Sequence, residues 1–263
     1  MTHEYGPNEP SSLDHLAITR RLAQTERAID VYYSRVTTTT QADARTLLAR
    51  RRPPFVVVTD EQTSGRGRLD RVWTAPPGSA ILMTLVLERP HVDEALRTLP
   101  LLAGVVVAEV LERAGAVIAL KWPNDVVSVV DGVTRKLGGI ITELSTDAVL
   151  VGIGLNVAMD DEQLPTPEAI SLRHLGVDGD RGALVAEIAS ALFASASAGL
   201  SMDDYRSRCA TIGTEVRVAR VDGSLLEGLA IGIDDDGTLL VQTEAGSARI
   251  TAGDVQHVRP GRR

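Results

Sequence analysis

Three short stretches of the 263-residue chain concentrate residue types suited to handling anions. In SGRGRLDRVW, Ser64 to Trp73, Gly65 and Gly67 flank Arg66, and Arg68 and Arg71 follow. Glycine frees backbone amides to nest around an anion, and guanidinium forks pair with phosphate or carboxylate. The stretch lacks the G-K-[ST] of a P-loop and is no dinucleotide fingerprint. KWPND brings Lys121, Asn124 and Asp125 into one segment, where Pro123 forces an extended approach to a turn. Its ammonium suits phosphate, and its oxygens suit a metal or an incoming amine. RKLGGI adds Lys136 at the start of a strand whose Gly138 and Gly139 permit close backbone approach. GIGLN, Gly152 to Asn156, likewise suits a flat ligand. Taken singly, the first stretch also fits a solvated basic loop, and the second an ordinary turn with an Asn/Asp cap.

A count that uses no motif points to the same places. Of 27 basic residues only two are lysine, Lys121 and Lys136. A chain that meets its surface-charge needs with arginine keeps lysine where a compact ammonium is needed and a planar guanidinium replaces it poorly.

Composition narrows the class further. The net charge of −8 argues against a general nucleic-acid binder, while leaving room for a local basic pocket. No apolar run approaches a membrane span, and the polar N-terminus lacks the layout of a secretory signal. The single cysteine, Cys209, excludes an internal disulfide and fits a reducing cytoplasm, where we expect the protein to reside. His3, His15, His91, His174 and His257 show no metal-ligand spacing.

The elements that must position these residues follow from pattern. Residues 1–27 read as a loose arm ending in a helix near Leu16 to Ala28. Val31 to Val36 and Pro54 to Asp60 read as strands around four threonines (Thr37 to Thr40) and a short helix containing Leu47 and Leu48. A loop from Gln62 to Gly78, too long for a hairpin, leads to a strand at Ile81 to Glu88. Asp93 to Ala114 reads as a buried helix, restarted or kinked at Pro100. AVIALKW, KLGGIITEL and AVLVGIGLNVAM lie too close together for parallel crossovers, so they predict antiparallel hairpins. A helix passes through Leu184, Ile188 and Leu192. Beyond residue 209, short strands separated by Asp222-Gly223, Asp236-Gly237 and Ala245-Gly246 predict a small β-barrel. The expected fold is α+β: a central mixed, largely antiparallel sheet flanked by helices over residues 28–209, with the barrel over 210–263.

In this order and spacing, GRGRLDRVW, KWPND, RKLGGI and GIGLN resemble the biotin protein ligase family over roughly Thr38 to Asn156, and the C-terminal strands resemble that family's tail. The resemblance implies that biotin and ATP, with Mg2+, form biotinyl-5'-AMP. The biotinyl group then passes to a lysine on the biotin carboxyl carrier domain of an acyl-CoA or pyruvate carboxylase. It implies that Thr39, Thr40, Gln62, Arg66, Gly67, Arg68, Lys136 and Gly138 bind biotin. Arg71, Trp73, Lys121, Asn124 and Asn156 would bind ATP and the adenylate. Arg68, Lys121, Lys136 and Asp125 would be catalytic, with Asp125 meeting the acceptor lysine. Magnesium would arrive on the phosphates, with Asn124 or Asp125 as candidate protein oxygens, and the protein would be a monomer or weak homodimer. Two departures stand out. Thr39-Thr40-Gln41 replaces the family's Ser-Thr-Asn, adding a methyl and a methylene, and Leu69-Asp70 replaces more usual Arg and Gly, with Asp70 partly neutralising the loop.

Three rival readings fit the sequence less well. A lipoate ligase shares the reaction logic but binds a flexible apolar tail and lacks the GRGR loop. A ligand-responsive repressor needs a winged-helix domain, and the roughly 37 residues before the first motif are too short and insufficiently basic, so no operator binding is expected. An interaction protein on an inactive ligase fold would have no need for the complete set of chemical groups found at the motifs.

Overall fold

The computed structural model describes residues 13–24, 29–89, 96–198, 201–220 and 223–258; within these, the side chains of residues 70, 197 and 198 are not described. Most of the arm, the Asp93 start of the expected helix, Asp222 and the Asp70 side chain therefore lie outside the described residues.

Seven strands form the central sheet. They are β1 (Asp30–Thr37), β2 (Phe55–Gln62), β3 (Ala80–Glu88), β4 (Ala119–Lys121), β5 (Asp125–Val130), β6 (Val133–Leu144) and β7 (Ala148–Asn156), in the order β1-β2-β3-β7-β6-β5-β4. β1 and β2 are parallel and every other neighbouring pair is antiparallel, so the sheet is mixed and largely antiparallel. The parallel pair is joined by helix α2 (Thr40–Leu48), the crossover that parallel strands require.

Both faces of the sheet are covered, which explains the unbroken apolar run in β2. Its side chains alternate, so Phe55 and Val57 pack beneath α2 while Val56 and Val58 enter the main core. Helices α1 (His15–Leu22), α3 (Leu99–Arg113) and α4 (Arg181–Ala198) contribute to that core. Helix α3 begins at Leu99, later than the Asp93 expected from its apolar run. Pro100 sits in its first turn, where a missing N–H costs nothing, so it starts the helix and does not kink it. Nearly every face of α3 is buried.

Two elements escaped the sequence reading. β5 runs between the expected strands and turns into β6 through Asp131-Gly132, both with positive φ (51° and 72°), the geometry of a two-residue hairpin turn. Helix α5 (Met202–Arg208) opens with Ser201 capping Asp203 N and with two aspartates in its first turn.

The C-terminal strands are β8 (Glu215–Ala219), β9 (Leu225–Ile233), β10 (Leu239–Thr243), β11 (Gly246–Ile250) and β12 (Asp254–His257). They form one antiparallel sheet in the order β11-β10-β9-β8-β12. Among the described residues no ladder joins β11 to β12, so the expected barrel is met as far as a five-stranded antiparallel sheet. No helix among the described residues is long and apolar enough to cross a membrane.

Candidate active site

The sequence motifs converge on one cavity of about 300 Å³. Its floor is the paired β6–β7 region, its ends are α2 and KWPND, and the Gly/Arg segment covers it.

That segment folds as a hairpin, a correction to the reading of a loop too long to be one. Trp73 N donates to Gly65 O at 2.9 Å, Gly67 N donates to Arg71 O at 2.8 Å, and Arg66 pairs with Val72. A Cβ on Gly65 would fall 2.4 Å from Trp73 O, so only glycine allows the two limbs to cross this closely. At the tip, a single 3-10 turn over Arg68–Asp70 holds Leu69 at φ 54°, a left-handed conformation costly for a branched side chain.

The tip is tied down on two sides. Arg68 Nη1 donates to Asn124 Oδ1 at 3.1 Å and its Nη2 donates to Gly253 O at 3.3 Å. Arg71 pairs with Asp254 on β12. Burial lowers the Arg68 pKa from its ordinary value, while Asp125 and Asp254 oppose the shift. Nothing in the local sequence marks Asp254 as part of the site, because its partners lie about 185 residues away.

KWPND is held by β6 and by turns of the C-terminal segment, at Thr211 and Gly237. Trp122 N donates to Thr211 Oγ1 at 3.1 Å and Trp122 Nε1 donates to Gly237 O at 2.9 Å. Asn124 Nδ2 donates to Ile140 O at 2.8 Å, while Ile140 N donates to Asn124 O at 2.9 Å. The turn is thus fixed against β6, and Asp125 opens β5 opposite Gly139.

The register of β6 decides which of its residues face the cavity. Val126 pairs with Gly138 and Val127 with Lys136, so Leu137 is an extra residue and the strand bulges there. A bulge reverses the alternation that follows it. Lys136 and Gly139 therefore share a face, and Lys136 Nζ lies 2.7 Å from Asp125 Oδ1. Gly138 is not in the cavity wall: a Cβ there would lie 2.4 Å from Gly154 O, so its role is close packing of β6 on β7. Lys121 also stands outside the wall, pairing with Asp125 at the end of β4. Burial lowers the Lys121 pKa, and Asp125 and Asp254 oppose that shift, so its ammonium sits among the same carboxylates.

Thr39 caps α2, its Oγ1 accepting from Ala42 N at 3.0 Å, which leaves its own hydroxyl proton free for a ligand. Buried Thr40 is more engaged: its N donates to Gln62 Oε1 at 2.8 Å, and its Oγ1 accepts from Thr84 Oγ1 at 2.8 Å. Gln62 Oε1 is fixed as an acceptor, so Nε2 is its free end. Thr39, Thr40, Gln62, Arg66, Gly67, Arg68, Arg71, Trp73, Asn124, Asp125, Lys136 and Asn156 all reach the cavity. Gln41 lines it too and was not among the expected binding residues.

Along β7, Gly152, Gly154 and Asn156 alternate onto the cavity face. The Trp73 ring lies on Gly154, where a Cβ would meet it at 2.8 Å, so the glycine creates the bed for the indole. Asn156 donates through Nδ2 to Ile170 O at 3.0 Å, and its buried Oδ1 has no partner within the protein. Arg66, Arg68, Arg71 and Lys136 outnumber Asp125 and Asp254 in the wall, giving a local cationic surplus inside a protein of net charge −8. The arrangement can hold a ligand with an anionic end at Lys136 and an uncharged polar end at Gln41 and Gln62. No cluster of three or more His, Cys, Asp or Glu suited to a metal occurs among the described residues.

Comparison with known proteins matches the chain to a family. The model of the biotin/lipoate A/B protein ligase family covers residues 32–160, and that of the biotin protein ligase C-terminal domain covers 211–258. The chain is 35% identical to the biotin–[acetyl-CoA-carboxylase] ligase of Mycobacterium tuberculosis, over 78% of this chain and 79% of that protein. It is 32% identical to the bifunctional ligase/repressor BirA of Bacillus spizizenii, over 85% of this chain and 73% of that one. Among solved structures, a biotin protein ligase from Aquifex aeolicus in complex with biotin and ATP superposes with a TM-score of 0.73 at 26% identity, covering 88% of this chain and 99% of the other.

Proposed function

The chain belongs to the biotin protein ligase family, and on that premise we propose how its own residues activate biotin with ATP and pass the biotinyl group to a carrier lysine. The observation that carries the reading is the polarity of the cavity. Lys136 stands at Asp125 and Gly139 with Arg68 on the neighbouring Asn124, whereas Gln41 lies over Gly152 and Gln62 is bonded to Thr40 beside it. Biotin has that shape: a carboxylate on one end of a tail and a neutral ureido ring on the other.

In the first step a biotin carboxylate oxygen attacks the α-phosphorus of ATP and the bond to pyrophosphate breaks. Two anions must approach, so fixed cations at Lys136 and Arg68 lower the barrier. Lys121 adds a nearby positive charge from outside the cavity wall. Trp73 on its glycine bed offers the flat surface for the adenine, with Arg71 and Asn124 beside the phosphates. In the second step the carrier lysine amine attacks the acyl carbon and AMP leaves. Asp125 is the carboxylate placed to take the amine proton.

Magnesium fits this donor set as an ion carried on the phosphates. Arg68 occupies Asn124 Oδ1 and Lys136 occupies one oxygen of Asp125, whereas Asn156 Oδ1 is unclaimed. One or two protein oxygens suffice for an ion that keeps its waters and binds phosphate. When bound, it would neutralise the triphosphate.

The division at residues 209 and 210 belongs to this proposal. Segment 28–209 supplies most of the cavity wall, and 210–263, read as a small barrel, adds Asp254 and Val255 to it and Gly253 and Asp254 to hold the loop tip. The acceptor is the biotin carboxyl carrier domain of an acyl-CoA or pyruvate carboxylase. Lipoate fits less well, because it has no ureido group and would leave the amide donors unpaired, at about 1–3 kcal/mol each when buried.

The test is mass spectrometry of a biotin carrier domain after incubation with the protein, ATP, Mg2+ and biotin. Addition of one biotinyl group to one lysine is expected. Activation of lipoate and not of biotin would overturn the reading.

A further inference from the structure

The Gly/Arg hairpin is part of a longer excursion between β2 and β3, and the root of that excursion is not held by a strand ladder. The pairing of β2 with β3 ends at Thr59 and Leu82. Beyond it, Gly78 N donates to Asp60 O at 2.9 Å. Arg181, the first residue of α4, then bridges both strands: Nη2 donates to Asp60 Oδ1 at 3.1 Å and Nη1 to Ala80 O at 3.2 Å. The outgoing limb leaves from Asp60 and the returning limb arrives at Gly78 to Ala80, so one clasp holds both. Gln62, Arg66, Gly67, Arg68 and Trp73, all in the cavity wall, lie between these anchors.

The clasp is built from charges taken out of water. Asp60 is 2% exposed and Arg181 8%, and they are the only charged residues buried among the described residues. Asp60 Oδ2 accepts from Tyr33 OH on β1 at 2.7 Å, and Leu13 N donates to Oδ1 at 3.1 Å. Leu13 leads into α1, whose first residue, His15, stacks on the Tyr33 ring with centroids 5.0 Å apart and planes 2° from parallel. Gly182 lets α1 approach α4, since a Cβ there would already lie 3.4 Å from Ile18 Cγ1. The entry to α1, β1, β2 and α4 thus meet on one carboxylate. A buried ion pair seldom stabilises more than a well-packed apolar pair of the same volume. Its value here is directional, because its hydrogen bonds fix where two backbone segments lie.

We propose that Asp60 and Arg181 are positioning residues for the ligase reaction: their pair sets the root of the Gly/Arg hairpin, and the entry to α1 completes the clasp. The proposal rests on the ligase reading above and adds two residues that stand outside the cavity wall. Arg68 and Arg71 hold the tip of the hairpin, and this pair holds its base. With the base loosened, the tip reaches Asn124 and Asp254 from a wider range of positions, and the closed form is populated less. The apparent affinity for biotin then falls with the fraction of molecules that remain closed.

The experiment compares the wild type with Arg181→Met, Asp60→Asn/Arg181→Met and Tyr33→Phe. It measures biotin-dependent pyrophosphate release, escape of biotinyl-adenylate in the absence of acceptor, and thermal melting. Arg181→Met leaves the Asp60 charge buried without its partner and should melt lowest. The double variant buries no charge and should recover much of that loss. Its KM for biotin should nonetheless stay raised about tenfold, with kcat within about threefold of wild type and faster escape of the adenylate. Recovery of KM and escape along with the melting temperature would assign the pair to stability alone and overturn the proposal. Tyr33→Phe keeps the ring on His15 and removes one hydrogen bond, so KM should rise about two- to threefold. It provides the measurement if the charge variants fail to fold. Wild-type KM and escape in every folded variant would overturn the role of the pair while leaving the ligase reading intact. No biotin-dependent pyrophosphate release from the wild type would remove both.

Discussion

Lys136 and Asp125 meet at 2.7 Å across the β5–β6 ladder because a one-residue bulge at Leu137 turns the lysine onto the aspartate's face. The pair puts the cation proposed to steady the first reaction beside the carboxylate proposed to serve the second. Each neutralises the other at rest, and a substrate carboxylate or amine has to share one of them. This makes the two half-reactions separable by substitution.

Lys136→Ala should slow biotinyl-adenylate formation by about 10²–10³-fold, the usual effect of removing a fixed charge from a transition state that gathers anions. The pair is partly solvent-exposed, Lys136 by 39%, so stability should change by less than about 1 kcal/mol. Adenylate formation is read by pyrophosphate release and folding by thermal melting. A wild-type rate in this variant would remove Lys136 from the mechanism.

Asp125→Asn should act on the other half-reaction. The amide keeps the shape but cannot accept the amine proton, so transfer from preformed adenylate to a carrier domain should fall by about 10²-fold or more. Adenylate formation should stay within about tenfold of wild type, since Lys136 keeps its charge. Single-turnover measurements on each step separate the two effects. Equal losses in both would assign Asp125 to holding Lys136 and not to handling the amine.

The Gly/Arg hairpin is tied to KWPND through Arg68–Asn124 and to the C-terminal sheet through Arg68–Gly253 and Arg71–Asp254. Arg68→Gly removes two of these contacts and should let biotinyl-adenylate escape into solution, where it is recovered by chromatography in the absence of acceptor. Asp254→Ala removes a single, partly exposed ion pair and should raise escape only a few-fold. Equal retention by both variants and the wild type would show that the hairpin is not what holds the intermediate.

Much of this arrangement was legible in sequence, and the misses have physical causes. The four motifs and Lys136 fall around one cavity because chemistry restricts residue type, while Lys121 stands just outside its wall. Which glycine faces the ligand was not legible: strand alternation alone favours Gly138 alongside Lys136, and only the bulge hands that place to Gly139. Bulges depend on the partner strand, which the local pattern does not contain. β5 was missed although Asp131-Gly132 is a hairpin signal, because its short VVSVV run lay between longer strands. Asp254 is invisible locally, as its role comes from contacts with Arg71 across the fold. Gln41 was noted as a departure from the family pattern, but only the glycine bed at Gly152 gives its extra methylene a place to go.

The final prediction concerns pH. His257 Nε2 lies 3.2 Å from Thr211 Oγ1, and that hydroxyl already accepts from Trp122 N, so its own proton is directed at the imidazole. Neutral His257 accepts it and thereby helps to fix KWPND. Burial first, then the charge of Lys121, lowers the His257 pKa from 6.5 to about 4, with Asp125 opposing. Between those two values the unfolded chain carries the histidine proton and the folded chain does not. Stability from this group is therefore complete above pH 6.5 and is lost as pH falls toward about 4. Thermal melting should show a decline across that window, and His257→Gln, which can still accept from Thr211, should flatten part of it. Carboxylates titrating near the lower end contribute equally to both proteins, so the difference between the two curves isolates the histidine. Superimposable slopes would mean that His257 is already charged in the folded protein and does not support the turn in the way the hydrogen bonds suggest.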